Sequence, residues 1–187
     1  MMNDTLKTIF NRRSVRTFKP EQIENQALDS IVSAGQYAPS GMNHQPWHFT
    51  VVQNRELLAD INTLCKAVYM QWDNPALQER VKAENFSAFY HAPTLIVVSG
   101  DATSLTPQFD CALALGTMFL AAASLGIGSC WIHALQSFHD LAEGPAMMKK
   151  LQVPEGYRIF GSGAFGYSAQ ELPLPKPRKE GAVTILR

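Results

Sequence analysis

Three guanidinium groups and a hydroxyl stand within five residues near the start of this chain: Arg12, Arg13, Ser14 and Arg16, in the run RRSVR. Arginine gives phosphate oxygens paired, charge-assisted hydrogen bonds, so the set suits a phosphate; taken alone, it also reads as a solvated basic patch. A second basic cluster, Lys176, Arg178 and Lys179, lies near the other end, in a segment stiffened by Pro173, Pro175 and Pro177. Two short clusters at opposite chain ends can converge on one anionic group. Between them, the loop PSGMNHQP runs from Pro39 to Pro46 and is followed by Trp47. It offers hydroxyl and amide groups on what reads as flexible backbone. Asn43 and Gln45 are of the type that reads the edge of a heterocycle.

Other patterns carry less. Gly161–Gly166 spells GxGxxG, but Tyr167 and a proline-rich segment follow it where a dinucleotide fold needs a helix N-terminus. Those glycines are expected to serve a tight exit from a strand. His44 and His48 are four apart with Pro46 between them, so no helix face presents both, and no metal site is expected. Cys65, Cys111 and Cys130 have neither CxxC nor finger spacing and sit among apolar residues, as small hydrophobes do. With no apolar leader in MMNDTLKTIFNRRSVR, the simplest compartment is a reducing cytoplasm.

The elements that must position these groups follow from composition and period. Sixteen basic and sixteen acidic residues cancel, which gives no global attraction for nucleic acid or an anionic membrane. At 187 residues the expectation is one domain, 1–187, with a sizeable core. Everything is organised around Cys111–Ile132, a stretch inside the charge-free interval between Asp110 and Asp140. Its Ala- and Leu-rich first part predicts a helix buried on all sides, stopped by Gly126 and Gly128, with a strand at 129–134. A membrane crossing is disfavoured by the glycine break and the missing Lys/Arg flanks. Apolar periodicity predicts helices over 4–11, from Pro20 through Ala34, over 56–72, and after Pro75. Strands are expected at 47–52, 94–99 and 157–161. Ser137 and Asp140 suggest a capping box opening a helix to about Leu151. After Ser168 comes a basic, proline-rich arm ending in a short strand, Ala182–Leu186. It either reaches a neighbouring subunit or wraps its own chain. Strands alternating with helices point to mixed α/β layers.

Five stretches together resemble the FMN-dependent nitroreductase superfamily: RRSVR, APSGMNHQPWHF (Ala38–Phe49), HAPTLIVV (His91–Val98), LGIGSCWI (Leu125–Ile132) and PLPKPR (Pro173–Arg178). They occur in the family's order over nearly the whole chain, and their combination is specific. The resemblance implies an α+β three-layer sandwich, a mixed central sheet flanked by helices, forming an intertwined homodimer. The C-terminal arm, 168–187, would embrace the partner, with FMN at the subunit interface. It assigns Arg12 and Ser14, with Arg13 beside them, to the phosphate and ribityl site, completed by Lys176 and Arg178. Arg16 falls near the pyrimidine side of the flavin. Pro39, Ser40, Gly41, Asn43 and Gln45 belong to the loop contacting flavin from the other subunit. Trp131, Ile132 and His133 belong to the strand end along the ring, where a backbone N–H faces N5. Arg16 and the His133 backbone are thus the candidate catalytic groups.

Two features depart from the family or vary within it. His133-Ala134 replaces a common Glu-Gly pair, and residues 62–90 form the variable cover, with Tyr69, Trp72, Phe86 and Tyr90 as candidate substrate contacts. The implied reaction is NADH- or NADPH-dependent reduction of nitroaromatics, quinones or other electron-poor small molecules by ping-pong hydride transfer through N5. The alternatives are another flavin reaction of the family (reductive dehalogenation, enoate reduction or flavin breakdown) or a non-catalytic FMN carrier. An anion- or nucleic-acid-binding module is the third class.

Overall fold

The computed structural model describes residues 1–187. Four strands form one sheet in the order β1 (Trp47–Val52), β2 (Thr94–Asp101), β4 (Tyr157–Gly166), β3 (Gly128–Trp131). All three ladders are antiparallel, with Val97 opposite Ser162 and Trp131 opposite Gly163. The parallel component of the sheet is a single bridge, Ser14 to Ser129, on the outer edge of β3.

β2 is buried over almost its full length, which explains its unbroken apolar run. Its side chains alternate between two cores, as a period of two requires. Leu95 and Val97 join a large cluster with Ile61, Val68, Leu135, Phe138 and Leu151. Ile96 and Val98 join a smaller one with Ile31, Leu115, Met118 and Phe165. The large cluster is closed by α3 (Arg55–Gln71), α4 (Pro75–Val81) and α6 (Gly144–Lys150), the small one by α2 (Asn25–Gln36) and α5 (Pro107–Ser124). α1 (Asp4–Asn11) lies against α5. Asparagine side chains satisfy otherwise unpaired N–H groups at three helix starts: Asn3 for α1, Asn54 for α3 and Asn74 for α4, where Pro75 takes the first turn.

Several expectations need correction. The central helix is not buried all round: Phe109, Leu113 and Leu125 are 62%, 49% and 47% exposed, so one apolar side has no cover within the chain. No helix is long and apolar enough to cross a membrane. Pro20 does not open α2, which starts at Asn25; residues 17–19 instead run beside the start of the arm, with Lys19 N–H donating to the Tyr167 carbonyl and Ala169 N–H to that of Thr17. Ser137 and Asp140 sit in a 3-10 turn, Ala134–Asp140, and the following helix begins only at Gly144. β3 stops at Trp131 rather than running to 134. Gly161–Gly166 is no strand exit but the strand itself. A Cβ on Gly161 would come within 2.8 Å of the Trp131 ring, and one on Gly163 within 2.7 Å of Phe119. Ala182–Leu186 forms no strand within this chain, and residues 169–187 are exposed throughout.

Candidate functional site

RRSVR follows α1 directly and is tied to the sheet edge. The Val15 N–H donates to the Ser129 carbonyl at 2.9 Å, which makes the bridge from Ser14 to β3. Val15 points inward, so its neighbours Ser14 and Arg16 are offered outward. Arg12, Ser14 and Arg16 all act on one sulfur, that of Cys130. Burial pushes the Cys130 thiol up, and Arg16, the Ser14 side chain and Arg12 draw it back down. Neither Arg12 nor Arg16 belongs to any of the ion pairs of the structure. Two uncompensated guanidiniums beside a hydroxyl form a ready anion site. Arg12 also borders a cavity of about 280 Å³ with Lys7, Ser129, Ser168 and Leu172. The Ser129 hydroxyl is buried there without a hydrogen-bond partner.

Arg13, beside Arg12 and Ser14, also makes bonds of its own. Its guanidinium donates to the carbonyls of Phe10, Arg12 and Pro173, at 2.6, 2.8 and 3.2 Å. It therefore ties the end of α1 to the root of the arm, and it lines the same cavity as Arg12. Lys176 and Arg178 lie three and five residues beyond that root, are exposed, and do not line the cavity that Arg12 borders.

The loop at 39–45 is held, not flexible. Gly41 N–H donates to Asp110 Oδ1 at 3.0 Å, and Thr106 Oγ1 donates to Oδ2 of the same carboxylate at 3.1 Å. Asp110 is 4% exposed and lies in the first turn of α5, where the helix dipole favours a carboxylate. Gly41 is required by proximity, since a Cβ would stand 2.6 Å from Thr106 Oγ1. Met42, Asn43 and Gln45 all adopt left-handed backbone, with φ of 52°, 57° and 47°. Such residues carry strain, which persists only where surrounding bonds impose it. Here the Gln45 N–H donates to Ser40 Oγ, and the Gln45 amide donates to Asn43 Oδ1, each at 3.0 Å. Asn43 and Gln45 are exposed and presented together; Pro39 and Ser40 lead into the turn.

At the end of β3 the chain is clamped twice. Ile132 N–H donates to the Ser162 carbonyl and Ser162 Oγ donates to the Ile132 carbonyl, both at 2.8 Å. The Trp131 ring packs against Phe119 and Gly161, and Ile132 is 2% exposed in the large core. This leaves His133 as the exposed residue of the three, with its N–H outside the hydrogen-bond network of the chain. The His133 ring stands 5.8 Å from Trp72, which meets Tyr69 edge-on at 4.9 Å; Tyr69 in turn meets Phe86 at 6.1 Å. The Arg16 guanidinium lies 5.9 Å from the Tyr90 ring. The cover aromatics therefore span from His133 to Arg16. Burial, chiefly, raises the Tyr69 phenol, so it stays protonated at neutral pH.

Sequence reasoning missed two residues that set this geometry. Asp110 is the charge at the head of the apolar run, and a carboxylate there must find partners once buried. Ser162 lay hidden inside the glycine-rich strand and had no distinguishing local signal.

Known proteins resemble this chain in sequence and fold. The Nitroreductase family profile covers residues 9–167. A nitroreductase from Bacteroides fragilis, solved with bound FMN, is 42% identical, with a TM-score of 0.91 and full coverage of both chains. A nitroreductase from Desulfitobacterium hafniense, also solved with bound FMN, is 33% identical with the same TM-score and coverage. The FMN reductase (NADPH) of Bacillus subtilis is 26% identical over 95% of this chain and 70% of its own length. The chain belongs to the nitroreductase family.

Proposed function

We propose that this chain is an FMN-dependent NAD(P)H oxidoreductase that reduces an electron-poor small molecule, working as a homodimer with flavin at the subunit interface. The observation that carries the reading is that Arg12, Ser14 and Arg16 stand on a segment pinned to the edge of β3, with both arginines lacking counter-ions. This donor set fits FMN: Arg12 and Ser14 suit a phosphate and ribityl chain, Arg16 an anionic ring edge, and the free His133 N–H a ring nitrogen. Bound there, FMN would supply the hydride-transfer chemistry between a reduced nicotinamide and an acceptor. The chain's own residues bind and orient. Arg12, with Lys176 and Arg178 of an exchanged arm, holds the phosphate. The double clamp between Ile132 and Ser162 fixes the direction of the His133 N–H. Asp110 fixes the 39–45 loop, which approaches from the partner subunit. Trp72, Tyr69 and Tyr90 shield the reacting face from water.

The homodimer is supported by what the single chain leaves bare. Phe109 and Leu113 of α5, Ile9 and Phe10 of α1, and Leu172, Leu174, Val183, Ile185 and Leu186 of the arm are all exposed. Apolar surface of this extent marks an interaction face. The test is direct. The purified protein should be yellow, with the flavin band at about 450 nm. NAD(P)H and a quinone should give parallel double-reciprocal plots, since one face serves donor and acceptor in turn. Arg12→Ala should weaken FMN about tenfold or more, the loss of a charge-assisted hydrogen bond, and leave riboflavin binding unchanged. A colourless protein that takes up no FMN on reconstitution would overturn the reading.

A further inference from the structure

The cover over the site carries one cation that the reading above does not use. Arg80 lies in the last turn of α4, is exposed, and takes part in none of the ion pairs. With Arg16, Asn85, Phe86, Ser87 and Tyr90 it lines a cavity of about 310 Å³. Arg80 is also the one charge that favours ionisation of the Tyr69 phenol, which burial, Cys65, Tyr90 and Cys130 oppose.

The Tyr90–His91 part of the lining is built rather than incidental. Tyr90 and His91 both adopt left-handed backbone, with φ of 60° and 57°. That turn is held by His91 N–H donating to Ser87 Oγ at 2.9 Å and by the His91 ring against the Asn85 carbonyl at 2.8 Å. The result places the Tyr90 ring under Arg16. Two arginines, the rings of Phe18, Phe86 and Tyr90, the His91 imidazole and neutral hydroxyl and amide groups line one cavity, and no carboxylate does. Arg16 is committed to the cofactor in the reading above, whereas Arg80 has nothing to neutralise it. A flat ring with an anionic group attached to it satisfies both the aromatic walls and the free guanidinium.

We propose that Arg80 is a specificity-determining residue that selects aromatic acceptors bearing a carboxylate, holding the carboxylate while the ring lies against Phe86 and Tyr90. This rests on the oxidoreductase reading above. A phosphate of the nicotinamide donor shares the anionic chemistry, and the experiment separates the two.

The FMN-loaded enzyme is assayed with 4-nitrobenzoate and with neutral 4-nitrobenzyl alcohol, using NADH and NADPH in turn. Arg80→Gln should raise KM for 4-nitrobenzoate about tenfold, as for a lost charge-assisted hydrogen bond, with little change in kcat. KM for the alcohol and for both nicotinamides should stay the same, and Arg80→Lys should recover part of the loss. Calorimetric titration of the oxidised holoenzyme with 4-nitrobenzoate should show the same weakening in Kd. Because Arg80 is exposed and bonds nothing in the fold, flavin content should not change. Equal effects on both acceptors, no effect on either, or a rise confined to NADPH would overturn the assignment. Failure of the underlying reading looks different: it is a wild-type protein that holds no flavin or reduces neither acceptor.

Discussion

The two faces of the sheet are finished to different degrees. The face closed by α3, α4 and α6 buries Leu135, Phe138 and Leu151 completely within one chain. The face closed by α2 and α5 is sealed only on its inner side: Met118 and Leu115 are fully buried, while Phe109 and Leu113 on the same helix face outward. Helix α5 is apolar on both sides, and one chain can cover only one of them. The proposed flavin site lies along this boundary. Its shielding aromatics belong to the finished face, and its loop at 39–45 is anchored to α5 of the unfinished one. On the proposed reading, the fold completes its substrate cover alone, leaves its cofactor side open, and takes a second copy to close it.

The sharpest way to break this contrast is to remove the arm. Deleting residues 173–187 takes away the exposed apolar tail together with Lys176 and Arg178. The expected outcome is complete loss of the dimer in light scattering and of bound flavin after gel filtration. A truncated protein that stays dimeric and yellow would show that the α5 face closes without the arm.

Paired substitutions on the two faces come next. Leu151→Ala, in the finished core, should cost about 2–5 kcal/mol of stability and leave the oligomeric state unchanged. Leu113→Glu lies on a surface position of the single chain, where substitutions usually change stability by no more than about 0.5 kcal/mol. If a second copy covers α5, that change should nevertheless give a monomer with FMN weakened tenfold or more. A dimeric, flavin-loaded Leu113→Glu protein would mean that the exposed side of α5 is ordinary surface.

Local signals in the sequence are read well where one chain decides the outcome. β1 and β2 follow from apolar runs, α3 from its period, and α4 from Pro75. What local reading missed depends on distant partners. Pro20 looked like a helix start, but its neighbours are taken by the arm root some 150 residues away. The 161–166 glycines make room for Trp131 and Phe119, which no window around them contains. In the proposed site, RRSVR and the 39–45 loop are singled out by residue type and spacing, but the anchoring of the loop to Asp110 is not. Arg13 was not separable from Arg12 and Arg16, because only the fold shows its guanidinium on the carbonyls of Phe10, Arg12 and Pro173. Asp110 and Ser162 act through backbone groups of other segments, and nothing local marks such contacts.

The smallest expected effect falls on the boundary itself, at Arg16. This side chain stands by Tyr90 of the finished cover and by Cys130 of the cofactor edge. Arg16→Gln keeps hydrogen-bonding capacity and removes the fixed charge. A charge placed at the ring edge favours the reduced state, which carries more negative charge, so its loss should lower the flavin reduction potential. For a two-electron couple about 30 mV corresponds to 1.4 kcal/mol, and a shift of a few tens of millivolts is expected for one partly screened charge. FMN affinity should change less than in Arg12→Ala. A second readout needs no flavin. Arg16 is the main influence drawing the Cys130 thiol down against burial. Without it the thiol pKa rises, less thiolate is present at pH 8, and alkylation of Cys130 by iodoacetamide should slow. Cys65 and Cys111 make a quiet background, since burial raises both, Cys111 to about 12. A slower Cys130 with an unchanged potential would place the Arg16 charge beside the thiol but away from the ring. Both unchanged would put it on the solvent side, leaving Arg12 to define the cofactor edge.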